Sequence, residues 1–430
     1  MHLPTSHPPE QTLYQDPAFD MAQEQFRLIS RYLGIPDDER DRLFYPKRAI
    51  SVAVPIHKDD GTTAVYQGYR VQHHLSMGPT KGGTRFAPSV NMGEIAALSI
   101  WMSWKCALAG LPYGGAKGGV CVDIRSLSVR ELEALSRRYM QEMIPFVGPK
   151  IDVMGPDMGT NEQVMAWFMD TYSMYVGYSV NEIVTGKPIF LGGSAGRRES
   201  TGRGVAFLVE RALDQLKISP VGCTCIVQGF GNVGAVAAAS LYYKSGVKIV
   251  GLSDAYAAFY DPKGIELEKV EEHLAKNRDL SNFEGANRID AEDMLVQKCD
   301  ILIPAAVDRV IHGKNADKLQ CRVLAEGANG PTTPEADVIL DKRWDEVFLI
   351  PDILCNAGGV IVSYFEWVQD LAAFFWNETE VTDKLFRILD HSFQAVVRRA
   401  KSEKISHRSA ALAIAVERVR KAKETRGLFP

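Results

Sequence analysis

Long apolar runs are missing from this 430-residue chain. No stretch of about 18 residues is continuously apolar, so no membrane-spanning helix is expected. A basic surplus is missing too: 49 Lys and Arg face 53 Asp and Glu, a net charge of −4, which leaves no electrostatic footprint for nucleic acid. Cysteine is scarce and scattered. The seven stand at 106, 121, 223, 225, 299, 321 and 355, an odd number in mostly apolar runs, which fits buried reduced thiols in a cytoplasmic enzyme rather than a disulfide framework. Cys223 and Cys225 alternate along an expected strand with no second pair nearby. His73 and His74 would point to opposite faces of another strand, so no metal site is expected. Met1–Glu10 is polar, with no apolar core, and is read as carrying no secretory signal.

What is present is a globular composition, 46% apolar and 24% charged, and too many residues for one ordinary core, which predicts two domains. Asp16-Pro17 starts a helix running to about Leu33. Alternating segments at Ala49–Pro55 and Thr63–Leu75 flank the turn signal Asp59-Asp60-Gly61 and predict a hairpin. Asn91 with Glu94, and Ser128 with Glu131, are helix-start patterns; those helices should reach Leu108 and the neighbourhood of Pro149. Another helix spans Thr160–Tyr175. From about Gly186 the pattern changes. A helix at Thr201–Leu216 is followed by strand-length apolar runs at Thr224–Gln228, Val247–Leu252, Asp300–Pro304, Arg322–Ala325 and Val347–Ile350, alternating with helices. That alternation predicts a parallel, doubly wound sheet. After Cys355 only helices are expected, near 356–374, 379–402 and 407–422, packing back on the first domain.

Gly229-Phe230-Gly231-Asn232-Val233-Gly234 follows the strand-like Cys225–Gln228 and precedes the small-residue helix Ala235–Ala239. A second strand ends at Asp254, 20 residues after Gly234. This is the arrangement a dinucleotide requires. Gly229 allows the tight turn, Gly231 lets the backbone approach the pyrophosphate, and Gly234 lets helix and strand pack closely. The helix N-terminus offers unpaired N–H groups to the phosphates. Asp254 would bond the ribose 2′-hydroxyl and repel a 2′-phosphate, which favours NAD, with NADP admitted only beside a neighbouring cation.

Three lysines sit in unusual company. Lys81 lies in Gly78–Phe86 and Lys117 in Leu111–Gly119, both rich in glycine, while Lys105 interrupts the apolar helix Trp101–Leu108. Glycines strip away side chains, so a substrate can come close to the backbone. Oxidising an amino acid requires a fixed cation for the α-carboxylate and a base that takes a proton and then activates water. A lysine serves as that base only if its pKa falls from about 10.4 towards neutrality, through burial and neighbouring like charges. Asp157, between the strand-like Ile151–Val153 and a helix, is the carboxylate best placed to relay protons; it could equally cap that helix.

These segments resemble the glutamate/leucine/phenylalanine/valine dehydrogenase family, glutamate dehydrogenases in particular. The likeness runs from about Gly68 to Gln369. It is carried by the Lys81 segment, Leu111–Gly119, Pro156–Thr160, Thr185–Pro188, Thr201–Gly204, Gln228–Gly234, Glu326–Thr332 and Asn356–Val360, in the family's order. The resemblance implies a two-domain α/β fold. Residues 1–185 would form the substrate domain and 186–355 a Rossmann-type domain with one reversed strand, while 356–430 would be helices returning to the first domain. It implies Lys117 as the catalytic base and Asp157 as its proton-transfer partner. Lys105 would hold the α-carboxylate and Lys81 the γ-carboxylate, with Ser363 bonding it. Met102, Thr185 and Val360 would line the pocket. Thr201, Asn232, Val233, Asp254, Asn329 and Asn356 would contact the cofactor, alongside the three glycines. The implied partners are L-glutamate, 2-oxoglutarate and ammonia, and the implied assembly is a homo-hexamer. Leucine- and phenylalanine-type relatives carry an apolar residue in place of Lys81. A lysine there would be left buried and unpaired by leucine, at a cost of several kcal/mol, so glutamate is the expected substrate. Two departures are Gly155, where alanine is commoner, and Ser194-Ala195-Gly196 in place of Ser-Leu-Gly. The alternatives are an aliphatic or aromatic amino-acid dehydrogenase and a non-catalytic amino-acid-sensing subunit; the latter should lack Lys117 or Asp157.

Overall fold

A computed structural model describes residues 12–428, so the Met1–Glu10 segment lies outside the described residues. The first helix, α1 (Pro17–Tyr32), begins where the sequence predicts. The Asp16 carboxylate accepts the Ala18 amide at 2.8 Å, and Pro17 occupies a first-turn position whose N–H would have no partner. A short α2 (Asp37–Phe44) leads into the first sheet.

That sheet contains β1 (Arg48–His57), β2 (Thr63–Gln72), β3 (Thr80–Ala87), β4 (Gly114–Cys121) and β5 (Asp152–Pro156), in the order β1-β2-β4-β3-β5. β1 and β2 form the predicted hairpin, in register from Arg48↔Gln72 to His57↔Thr63. β4 is antiparallel to β2, whereas β3 runs parallel to both β4 and β5. One face packs on α3 (Met92–Leu108), whose Ile95, Ile100 and Trp104 join Phe26 of α1 in a single core. The other face packs on α4 (Val129–Met143) and α5 (Glu162–Val176) through Val120, Tyr139 and Phe168.

Several boundaries differ from the sequence reading. The helix expected to reach Pro149 stops at Met143, because Pro145 has no N–H to continue it. The strand expected to reach Leu75 stops at Gln72. The rings of His73 and His74 then meet edge to face at 5.4 Å instead of lying on opposite faces, and His73 is held by Ser103 Oγ and the Leu43 and Phe44 carbonyls. The two lysine-bearing glycine stretches, which carry no strand periodicity, are β3 and β4. Glycine and lysine are poor strand formers, but here close approach overrides propensity: a Cβ at Gly82 would lie 1.5 Å from the Ala116 carbonyl oxygen.

The second sheet contains β6 (Thr224–Gln228), β7 (Lys248–Ser253), β8 (Ala258–Tyr260), β9 (Asn287–Ile289), β10 (Ile301–Pro304), β11 (Val323–Ala325) and β12 (Phe348–Ile350). Its order is β12-β11-β10-β6-β7-β8-β9, and β8 alone runs against its neighbours, the single reversal that the family resemblance implied. β8 and β9 are absent from the sequence reading, since three residues are too few to show a period. Around this sheet lie α6 (Ser200–Leu216), α7 (Gly234–Ser245), α8 (Leu267–Lys276), α9 (Ala291–Leu295), α10 (Pro334–Lys342) and α11 (Asp352–Cys355).

The chain ends in α12 (Gly358–Ala372), α13 (Glu378–Glu403) and α14 (His407–Arg426). α14 lies against α3, where the Arg418 guanidinium donates to the Ala107 and Leu108 carbonyls at 2.7 and 2.9 Å. On α12, the Trp367 indole donates to the Pro149 carbonyl. α13 instead packs on α6, with Phe207 and Phe386 stacked at 4.4 Å, so the tail covers both sheets' helices rather than the first domain alone. Among the described residues no helix is long and apolar enough to cross a membrane. All seven cysteines are unpaired, six of them buried.

Candidate active site

Register puts two of the lysines together. Lys81 on β3 pairs with Gly115 on β4, and Lys117 lies two residues further on, so both side chains leave the same face of the sheet. Two glycines on that face keep the space open. A Cβ at Gly83 would lie 3.0 Å from Asp157 Cβ and 3.5 Å from Lys117 Nζ; one at Gly155 would lie 2.7 Å from Lys81 Nζ and 3.3 Å from Thr185 Oγ1. Lys105 approaches from α3.

All three amines are buried. Lys117 Nζ lies 2.7 Å from Asp157 Oδ2. Burial pushes the Lys117 pKa down and the Arg85 cation adds to this, while Asp157 opposes it; the net direction is downward. Burial would raise the Asp157 carboxyl, but Lys117 and Arg85 outweigh it and hold it near 2. Asp157 does not cap the following helix. Asn161 does that through the Val164 amide, which removes the capping alternative for Asp157. Among the described residues Lys81 bonds only the Met154 carbonyl, at 3.4 Å. Burial, with the cations of Arg197 and Arg70, lowers it to about 7. Lys105 is also lowered, first by burial. It donates to Asn356 Oδ1 at 2.6 Å and to Asn329 Oδ1 at 3.0 Å, spanning from α3 to the end of α11 and the loop after β11.

The other residues expected to line the pocket stand on α3, on α12 and at position 185. Thr185 is fully buried and its hydroxyl has no partner among the described residues. Ser363 and Val360 stand one turn apart on α12. Met102, three residues before Lys105 on α3, is half-buried. The Thr185 segment is fixed to α12 by a buried network. Glu366 accepts the Gly186 amide at 2.9 Å and Lys187 Nζ at 2.7 Å, and Lys187 reaches Asp370 at 2.8 Å.

The β6–α7 turn suits a dinucleotide. Gly231 and Asn232 are exposed, and a Cβ at Gly231 would meet nothing within 4 Å. Gly229 has φ +93°, and a Cβ at Gly234 would lie 2.0 Å from the Gly229 carbonyl oxygen. Val233 gives α7 no side-chain cap; the Ala235 amide bonds the Gly231 carbonyl at 2.9 Å, while the Gly234 and Val236 amides have no backbone acceptor among the described residues and remain available to an anion, and Gln228 Oε1 is buried without a partner among those residues. Thr201, near the start of α6, faces the start of α12, since a Cβ at Gly359 would lie 2.8 Å from its hydroxyl. Asp254 has a local task that sequence reasoning did not foresee. It accepts the amides of Tyr256, Ala257 and Leu280 at 2.7–2.9 Å, which leaves about one of its four acceptor positions for a ribose.

Sequence reasoning missed two charged residues. Arg85 Nε donates to Asp157 Oδ2 at 2.9 Å and Arg85 Nη1 to Glu94 Oε1 at 2.5 Å. Arg197 Nε donates to Ser363 Oγ at 3.1 Å, close enough to Lys81 to disfavour its charged form. Arg85 stands inside the glycine-rich Gly78–Phe86 and Arg197 directly follows Ser194-Ala195-Gly196; an arginine in or beside such a stretch was the available signal. Among the described residues no cluster of His, Cys, Asp and Glu is arranged to hold a metal.

The sequence pattern of the Glutamate/Leucine/Phenylalanine/Valine dehydrogenase family matches residues 192–427, and that of the Glu/Leu/Phe/Val dehydrogenase dimerisation domain matches 46–174. The chain is 45% identical to a glutamate dehydrogenase of Thermotoga maritima, over 98% of this chain and 100% of that one. It is 43% identical to an NAD-specific glutamate dehydrogenase of Staphylococcus aureus, over 92% and 94%. Among solved structures, a hetero-hexameric glutamate dehydrogenase from Thermus thermophilus in a Leu-bound form superposes with a TM-score of 0.91 at 36% identity, covering 97% of this chain and 100% of that one.

Proposed function

The chain belongs to the glutamate/leucine/phenylalanine/valine dehydrogenase family, and from that premise we propose that it is an NAD-dependent glutamate dehydrogenase, interconverting L-glutamate with 2-oxoglutarate and ammonia. One observation carries the substrate choice. Lys81 and Arg197 are two neighbouring cations with no salt-bridge partner among the described residues, beside the Ser363 hydroxyl and the unpartnered Thr185 hydroxyl. Such a site is incomplete without an anion, and a leucine side chain would leave it so.

In this reading Lys105 holds the α-carboxylate, and Lys81, Arg197 and Ser363 hold the γ-carboxylate, with Met102, Thr185 and Val360 as walls. Fixing both ends points the Cα–H in one direction and places the amine beside Lys117. The β6–α7 turn, Thr201, Asn329 and Asn356 would hold the dinucleotide, which supplies the hydride acceptor when bound. Lys117, with its lowered pKa, takes a proton from water as the oxygen attacks the substrate's imino carbon. Asp157, 2.7 Å away, stabilises the ammonium so formed and passes protons between Lys117 and the departing ammonia. The intact Lys117–Asp157 pair favours an enzyme over an amino-acid-sensing subunit.

The NAD preference is supported by the negative charge of Asp254 and by the Staphylococcus aureus relative. A homo-hexamer in the cytoplasm, with domain boundaries near 185 and 355, completes the reading. The match to a dimerisation domain and the seven unpaired thiols support it. The test is a near-ultraviolet assay of nicotinamide reduction with glutamate, leucine, valine and phenylalanine, each with NAD and with NADP. Glutamate with NAD should give the highest kcat/KM; leucine turnover above glutamate would overturn the assignment.

A further inference from the structure

Asp157 is gripped through one oxygen by two cations. Its Oδ2 takes both Lys117 Nζ at 2.7 Å and Arg85 Nε at 2.9 Å, and no other side chain bonds its carboxylate among the described residues. Arg85 does not hang free. Its other arm reaches Glu94 in the first turn of α3, a helix start fixed by the Asn91 cap. One guanidinium therefore ties together β3, which carries Lys81, the β5–α5 turn, which carries Asp157, and α3, which carries Lys105. Arg85 and Glu94 are each 16% exposed and line a cleft of about 770 Å³ that also reaches Asn329, so the clamp sits at the edge of the site and not in its packed interior.

We propose that Arg85, held in place by Glu94, is a positioning residue for the reaction: it fixes the Asp157 carboxylate against the Lys117 amine and sets which of the two carries the proton. The inference rests on the reading of Lys117 as the base. Its geometric part follows from valence. Without Arg85, the carboxylate keeps a single partner and turns freely about its side-chain bonds, so its oxygen no longer stays at hydrogen-bond distance from the amine through the catalytic cycle. Its electrostatic part follows from the charges around each group. Lys117 is faced by Asp157, Arg85, Arg70 and, from α3, Lys105 and Glu94. Arg85 is faced by Asp157 and Glu94, and Glu94 by Arg85, Asp16 and Lys117. Removing the guanidinium takes away a repulsion that favours neutral Lys117, so the amine becomes more basic. Removing the Glu94 charge acts in the opposite sense.

The test compares pH profiles of kcat/KM for glutamate in the full-length enzyme with NAD, for the parent, Arg85→Met, Arg85→Lys and Glu94→Gln, with Lys117→Ala as control. The acid limb reports the group that must be deprotonated. Arg85→Met should move that limb upward by about one pH unit and lower kcat roughly 10- to 100-fold. Arg85→Lys should restore the limb but not kcat, because a point charge cannot hold Asp157 and Glu94 in one plane. Glu94→Gln should lower kcat without raising the limb. An acid limb in Arg85→Met within about 0.2 of the parent's would overturn the inference, and should that variant fail to fold, a parental kcat in Arg85→Lys would do the same. An active Lys117→Ala would instead sink the underlying reading of the base, so the two failures are distinguishable.

Discussion

Methionine in place of Lys81 has two consequences of opposite sign, both calculable from one buried amine. Lys81 is 4% exposed, its amine has only the Met154 carbonyl as an acceptor among the described residues, and it is lowered to about 7 by burial and by Arg197 and Arg70. In the unfolded chain the same amine holds its proton up to about pH 10.4. Between those values the unfolded state binds more protons than the native one, so native stability rises with pH across the window. Below about pH 7 the whole penalty stands, on the order of 4 kcal/mol. Methionine has similar reach and no charge. Lys81→Met should therefore melt higher than the parent near neutral pH, with the difference closing as the pH approaches about 10. Catalysis should move the other way. The γ-carboxylate of bound glutamate would face Arg197 alone, and breaking one partner of a buried pair costs about 3–5 kcal/mol, a fall in kcat/KM of roughly two to four orders of magnitude. Norvaline, which lacks the second carboxylate, should be turned over better by the variant than by the parent. Thermal melts over a pH series and steady-state rates with both amino acids provide the test. A variant that melts no higher than the parent at about pH 7, or that keeps glutamate kcat/KM within about tenfold, would show that position 81 is not a buried cation awaiting an anion.

Lys117→Ala should lower kcat by at least about a thousandfold while leaving the NAD dissociation constant, read from quenching of protein fluorescence, within about twofold. The three glycines of the β6–α7 turn should separate by role. Gly231→Ala has room in the free protein, so its melting temperature should be parental while its NAD affinity falls. Gly229→Ala and Gly234→Ala, which meet Ala306 and the Gly229 carbonyl, should lower the melting temperature itself; equal melting losses at all three positions would contradict this. Asp152→Ala should destabilise the fold by about 3–5 kcal/mol in urea titration, because it leaves the fully buried Arg70 guanidinium without its carboxylate.

The parts legible in the sequence are those where a local signal and the tertiary fold agree. Asp16, Asn91 and Ser128 each cap the helix predicted for them, and the β6 run is in place to the residue. The Gly229–Gly234 turn was readable because its glycines do separate physical jobs at fixed spacing. What escaped was written only in tertiary contacts. β3 and β4 have no period-2 pattern because both faces are buried and backbone replaces side chains at Gly82 and Gly114. Arg85 and Arg197 have no local signature of their own; their partners Asp157 and Ser363 are 72 and 166 residues away in sequence. Asp254 was read as a ligand because of its position after β7, yet its three backbone partners include Leu280, 26 residues on, which no spacing rule reaches.

The same two strands also explain why a site so costly in buried charge can exist. Burying an isolated ammonium is unfavourable by several kcal/mol, and this site buries three. Each is treated differently. Lys117 is matched by Asp157 within the chain, which opposes the lowering of its pKa by burial. Lys105 is solvated by the side-chain oxygens of Asn329, in the loop after β11, and Asn356, at the end of α11, dipoles that weaken no substrate carboxylate by competing charge. Lys81 has neither: among the described residues its one acceptor is the Met154 carbonyl, at 3.4 Å. A carboxylate from a ligand is then the remaining way to satisfy it, so affinity for the second carboxylate is drawn from strain already present in the free protein. That ordering of the three lysines, from paired to unpaired, agrees with the roles proposed for them as base, α-carboxylate anchor and specificity determinant. The Gly83–Gly155 pair, neighbours in register on β3 and β5, keeps the wall beside Lys117 and Lys81 bare.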